Sequence, residues 1–175
     1  MPITRRTFIK AGVLGTAALA AAGAWGGWRL RACSAHPAPL SPAGRALFAA
    51  MIPALLDGAV APGAWTAAMG DEALRRVEVT IAALSPHAQR ELHQLACLLD
   101  ARVARLLLAG SGAPWPVVTR ARAGAILARW RFSRSALLVS AYQALHDLTF
   151  AAWYAEPAHW AAIGYPGPPE LERGA

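Results

Sequence analysis

The chain has 175 residues, 56% of them hydrophobic and 15% charged, which excludes an intrinsically disordered chain and leaves room for one domain after a leader. Its formal charge of +7 invites a nucleic-acid reading, but Arg5, Arg6, Lys10, Arg29 and Arg31 supply five of the 17 basic side chains, and residues 36–175 set the other 12 against all 10 acidic ones. That net of about +2 is ordinary for a globular domain and gives no ground for a nucleic-acid partner.

Residues 1–35 carry an address. Thr4-Arg5-Arg6-Thr7-Phe8-Ile9-Lys10 has the order of a twin-arginine (Tat) export signal, with Arg5, Arg6, Phe8 and Lys10 as its recognised residues. A weakly apolar run, Ala11 to Trp28, follows it. Ala20-Ala21-Ala22 and Ala22-Gly23-Ala24 both offer small residues for cleavage. Leu30-Arg31-Ala32-Cys33 is a lipidation box spoiled by Arg31, and an uncleaved anchor flanked by Trp25 and Trp28 is the third option. The twin-arginine route carries folded passengers, so the chain either binds a cofactor or travels with a protein that does.

Residues 36–42, with three prolines, form a linker that cannot continue a helix. The helical domain spans 43–156. Ser41-Pro42 starts a first helix over about 43–56, which Asp57-Gly58 and Pro62-Gly63 end. A second begins near Asp71 and shows Leu74, Val77, Ile81 and Leu84 on one face. Ser85-Pro86 starts a third, whose stripe Leu92, Leu95, Ala96, Leu99, Val103, Leu106 and Leu107 faces the core with Arg90, Gln94 and Arg105 opposite; Gly110-Ser111-Gly112 ends it. After the rigid turn Pro114-Trp115-Pro116, Thr119 caps a fourth helix over about 120–132. The last runs over about 134–154 with Leu137, Leu138, Ala141, Leu145, Leu148 and Ala152 inward, and residues 157–175 form an extended Pro/Gly/aromatic tail. The expected fold is all-α, an irregular bundle of about five helices.

Few residues suggest chemistry. There is no glycine-rich phosphate loop, no Gly-x-Ser-x-Gly elbow and no haem-attaching Cys-x-x-Cys-His. Two cysteines, Cys33 and Cys97, build neither a disulfide framework nor a zinc ribbon, and Cys97 within its apolar stripe is most simply a small buried residue. His93 and Cys97, four apart on a helix, are candidate metal ligands, or else a boundary histidine beside a core cysteine. His146-Asp147 is half of a catalytic dyad at most, since helix neighbours point about 100° apart. Arg120, Arg122, Arg129, Arg131 and Arg134, with Trp130 among them, form either a solvated basic face or a docking surface.

The final segment is denser in information. Gln143, Asp147, Phe150 and Tyr154 share the outer face of the last helix, and five aromatics fall between Phe150 and Tyr165. Such anchors suit a protein interface; alternatively the tail folds back onto its own bundle. The strings Leu145-His146-Asp147-Leu148-Thr149-Phe150, Trp153-Tyr154-x-x-Pro157 and Trp160-x-x-Ile163-Gly164-Tyr165-Pro166-Gly167, together with the leader, resemble the gluconate 2-dehydrogenase subunit 3 family. The chain departs from it in lacking a Gly-Gly insertion after Pro157, which reads as a shorter tail.

The resemblance implies a small subunit, not itself an enzyme and without a cofactor or metal of its own. Its large partner is of the glucose-methanol-choline (GMC) oxidoreductase type, holds FAD and has no leader, and the small subunit stabilises it and escorts it through the Tat translocase. A cytochrome c subunit often completes the complex, which works in the periplasm at the outer face of the cytoplasmic membrane. Phe150, Trp153, Tyr154, Trp160, Ile163, Gly164, Tyr165, Pro166 and Gly167 are then the expected partner-binding residues. The rival expectations are an exported enzyme or metal binder built on His93, Cys97, His146 and Asp147, and a membrane-anchored structural protein.

Overall fold

The computed structural model describes residues 39–168. The twin-arginine motif, the alternative processing sites and Cys33 lie outside them. Five principal helices make up the fold: α1 (Pro42–Leu55), α2 (Ala67–Ala82), α3 (Pro86–Asp100), α4 (Arg120–Arg131) and α5 (Ala136–Tyr154). No strand occurs among the described residues, whose sole β feature is an isolated bridge between Asp57 and Val60.

The helix starts follow local chemistry. Ser41, Ser85 and Thr119 each accept a hydrogen bond from the backbone N–H three residues on, at 3.2 Å, 3.3 Å and 3.3 Å, satisfying a donor that the first turn leaves unpaired. Helix α2 opens at Ala67, four residues before Asp71, because Thr66 caps it through the Met69 N–H.

Helix α1 lies at the centre and packs against α2, α3, α4 and α5 as well as the turn carrying Trp115. Leu47, Phe48, Met51, Ile52 and Leu55 are accordingly all buried. Gly44 makes room for the buried Leu40 side chain: a Cβ there would stand 2.8 Å from Leu40 Cδ2, while Ala96 Cβ of α3 would be in ordinary contact at 3.7 Å. Val77 and Ile81 of α2, Ala96 and Leu99 of α3, Ile126 and Trp130 of α4, and Leu145 and Ala152 of α5 close the core around it.

The third helix departs from its expected course. Ala101 adopts an extended backbone (φ −63°, ψ 129°), after which one turn (Arg102–Ala104) runs into a π-helical turn (Arg105–Ala109) ending on left-handed Gly110. The break rotates the apolar stripe outward. Val103, Leu106 and Leu107 are 69%, 59% and 72% exposed, whereas Arg105, expected on the outer face, is buried and donates from Nη1 to Asp100 Oδ1 at 2.8 Å. A wide π turn strands carbonyls, and α4 satisfies them: Arg129 and Trp130 Nε1 donate to the Leu108 carbonyl, the latter at 2.8 Å, and Arg122 donates to that of Gly110 at 2.9 Å.

Trp130 is therefore a core residue and not part of a basic docking face. It is fully buried, and its ring meets that of Trp115 edge to face at a centroid distance of 6.5 Å. In α5 the inward face is shifted slightly from expectation. Thr149 and Trp153 are buried, while Leu137 is 42% exposed.

Trp130→Ala should empty a large core volume and release the Leu108 carbonyl, lowering stability by about 3–5 kcal/mol. Urea unfolding followed by circular dichroism measures this.

Candidate partner-binding surface

Side chains four apart on a helix stand one above another. On α5 this spacing builds a ladder of rings, Tyr142, His146, Phe150 and Tyr154, with successive centroids 5.5 Å, 4.5 Å and 5.8 Å apart. Of the two aromatics expected on this outer face, Phe150 and Tyr154 both belong to the ladder; Tyr142 and His146 were missed, although the 142/146/150/154 spacing signals them. Gln143 and Asp147 sit exposed beside it.

A groove of about 320 Å³ runs between the ladder and α4. Leu55, Leu127, Phe132, Tyr142 and Phe150 line it. Phe132 is 79% exposed. The Arg131 guanidinium stands at its rim, 5.3 Å from the Phe132 ring centroid and 5.9 Å from that of Tyr142, so the cation lies against π faces. The surface is thus apolar with a basic edge.

The tail combines the two alternatives left open by its sequence. Residues 157–163 are coiled into two 3-10 turns, Pro157–His159 and Ala161–Ile163, and fold onto the end of α5 instead of extending. The His159 ring stacks flat on Trp153 (3.7 Å between centroids, 1° between planes), and its Nδ1 lies 2.7 Å from the Trp153 carbonyl. Trp160 Nε1 donates to the Tyr154 carbonyl at 2.8 Å. Gly164 then takes φ +67° and turns the chain so that the Tyr165 N–H reaches the Trp160 carbonyl and the two rings meet edge to face at 5.2 Å. Gly167 packs under the Trp160 ring, where a Cβ would come within 3.3 Å.

This arrangement sorts the expected anchors. Trp153 is 4% exposed and belongs to the core, so its assignment as an interface anchor is corrected: the inward face of α5 and the His159 ring cover it. Trp160 and Gly167 are half-buried and shape the tail. Ile163 and Tyr165 are 53% and 44% exposed, and Gly164 and Pro166 are exposed beside them. Phe150 and Tyr154 are half-buried on the ladder.

An ion-pair clamp holds the root of the tail. Arg76 of α2 bonds Glu156 Oε2 through Nη1 at 2.8 Å and Glu72 Oε1 through Nε at 2.6 Å. Hydrogen bonds to Glu156, then to Glu72, raise the Arg76 pKa above its ordinary value. Those from Arg75, then Arg76, hold the Glu72 carboxyl below its own.

The other candidate groups are engaged differently from expectation. His146 Nδ1 lies 2.8 Å from Asp147 Oδ1; the side chains bend together despite the divergence of adjacent helix positions. His93 is buried, with Nε2 2.9 Å from the Pro39 carbonyl. Cys97 is half-buried and disulfide-bonded, which corrects its reading as a simple core thiol; an oxidised sulfur is not the thiolate that binds metal. Among the described residues no three His, Cys, Asp or Glu side chains gather at one point, and no helix is long and apolar enough to cross a membrane.

Comparison with protein-family models, with curated proteins and with solved structures found no match to this chain.

The clamp sets a pH dependence. The folded-state pKa of Glu72 is depressed, so its stabilising contribution is present above the ordinary value of 4.5 and is lost as pH falls through the lowered folded value. Between about pH 5 and about pH 3, Glu72→Gln should lose less melting temperature than the parent chain. Thermal melts across that range test it, and equal losses would remove Glu72 from the acid response.

Proposed function

We propose that this chain is a non-catalytic small subunit that binds and stabilises a leaderless FAD-dependent dehydrogenase of the GMC type, acting on an alcohol or sugar, and escorts it through the Tat route to the periplasmic face of the membrane. FAD belongs to the partner, and a cytochrome c subunit is a further expected member of the complex.

The observation that carries the reading is the surplus of aromatic surface. Trp115, Trp130 and Trp153 already fill the core, yet Tyr142, Phe150 and Tyr154 remain only half-buried along α5, Phe132 stands exposed across the groove from Tyr142, and Ile163 and Tyr165 are exposed on the tail. Rigid aromatics around a groove are what a protein interface uses for affinity, and an uncovered patch of this kind is a liability in a monomer. The twin-arginine motif adds the export role. It supplies an address that a leaderless partner lacks.

A C-terminally tagged copy recovered from periplasmic and membrane fractions should bring down one large flavoprotein at about one to one, visible by flavin absorbance. Recovery of the small protein alone, without flavin, would sink the subunit role. Changing Arg5 and Arg6 together to Lys should leave the partner's activity in the cytoplasm; unchanged export would remove the escort role while sparing the binding one.

The double change Phe150→Ala and Tyr154→Ala should cut capture of the flavoprotein at least tenfold, as loss of interface hot spots does. A melting temperature close to the parent's would separate lost binding from lost folding.

A further inference from the structure

The stretch from the end of α3 into α5 is one-sided in charge. Residues 101–146 hold seven arginines and no Asp or Glu. Arg105 and Arg120 are answered by Asp100 and Asp57. Arg102, Arg122 and Arg129 pair with no carboxylate among the described residues, and all three gather at the π turn. Arg122 and Arg129 stand about two turns apart on one face of α4, and the Gly110 and Leu108 carbonyls draw both guanidiniums to the end of the turn. Arg129 Nη1 and Arg122 Nη2 lie 3.0 Å and 3.3 Å from the point where a Cβ on Gly110 would stand. Arg102 reaches the same loop, with Cγ and Nε each 3.6 Å from the equivalent point on Gly112. Cations held this close repel one another, and an anion between them relieves the repulsion. Each guanidinium keeps N–H donors that the carbonyls leave unused. A hollow of about 180 Å³, walled by Ala109, Ala125 and Ile126, lies beside both.

The same turn is apolar where it meets water. Val103 stands three and four residues before Leu106 and Leu107, so these exposed side chains form one cluster, a turn ahead of Gly110. An aliphatic tip set among unpaired guanidiniums matches the two layers of a bilayer surface, acyl chains below and phosphates above, and the arginine fork fits phosphate oxygens. The turn also lies away from the aromatic groove. Gly124, Leu127, Ala128 and Arg131 line that groove, whereas Arg122, Ala125, Ile126 and Arg129 line the hollow; the two sets occupy opposite sides of α4, since helix positions two apart point about 200° apart.

We propose that the π turn is a membrane foot: Val103, Leu106 and Leu107 enter the interfacial layer of an anionic bilayer, and Arg122 and Arg129, with Arg102 beside them, hold a phospholipid phosphate. The proposal rests on the export reading for the membrane it meets, and the flavoprotein takes no part in the contact. Protein recovered from the periplasmic and membrane fractions should sediment with vesicles of mixed phosphatidylglycerol and phosphatidylcholine, less so as salt rises, and not with vesicles of phosphatidylcholine alone. Amide hydrogen exchange in the parent chain should slow over residues 102–112 on binding and stay unchanged over 142–154. Leu106→Gln with Leu107→Gln should cut vesicle binding at least about tenfold, and Arg102→Gln should cut it about fivefold. Both variants should keep the melting temperature of the parent and its capture of the flavoprotein. Equal binding to both vesicle types, protection confined to residues outside 102–112, or unchanged binding by the variants would overturn the proposal. Equal protection by inorganic phosphate alone would make the ligand a soluble anion, and loss of flavoprotein capture in the leucine variant would make the turn a protein contact; either result overturns the lipid assignment. Vesicle binding at this turn without any captured flavoprotein would leave the foot standing while the subunit role fell.

Discussion

Helix α1 must be apolar over a broad face, because four other helices and the Trp115 turn all lean on it, and only a narrow strip with Arg45 and Ala49 stays exposed. Few short helices meet this demand, and it explains the composition of residues 42–55. Leu47, Phe48, Met51, Ile52 and Leu55 form a buried arc of about 140°, the half-buried Ala46, Ala50 and Ala54 widen it, and Gly44 marks the place where even a methyl group would displace the Leu40 side chain. With α1 surrounded, the other helices can each use one narrow stripe for the core. Helix α5 then has a face left over, and the ring ladder occupies it.

The arginines of α4 show how a local irregularity shapes a distant surface. Once the chain breaks at Ala101 and widens into a π turn, carbonyls of Leu108 and Gly110 have no ladder partner and draw in Trp130, Arg129 and Arg122. Those contacts fix the rotation of α4. They also leave Arg131 and Phe132 at the rim of the groove facing Tyr142. The basic cluster is thus partly a structural fastening, and its exposed remainder edges the candidate surface.

The fold was legible where signals were local. Serine-proline and threonine caps placed three helix starts, and Val77, Ile81, Ala96, Leu99 and Leu145 were found on core-facing stripes by their spacing. The end of α3 was not legible, since Leu99, Val103, Leu106 and Leu107 keep an unbroken helical period and nothing local announces the extended Ala101. Trp153 illustrates a second limit. Sequence shows that a region is rich in aromatics but not which ring goes inside; that depends on His159 returning to cover it. Phe150 and Tyr154 of the ladder were legible and Tyr142 and His146 were not, because Gln143 and Asp147 stand exposed beside them and make the face read as mixed polar and aromatic.

The central position of α1 governs the order of events in the cell. The first helix of the domain packs against the last, so the core cannot close until α5 has cleared the ribosome. Early in synthesis α1 is an apolar helix without its cover, a natural client for a holding chaperone. A domain wired in this way folds as a finished chain and not element by element during synthesis.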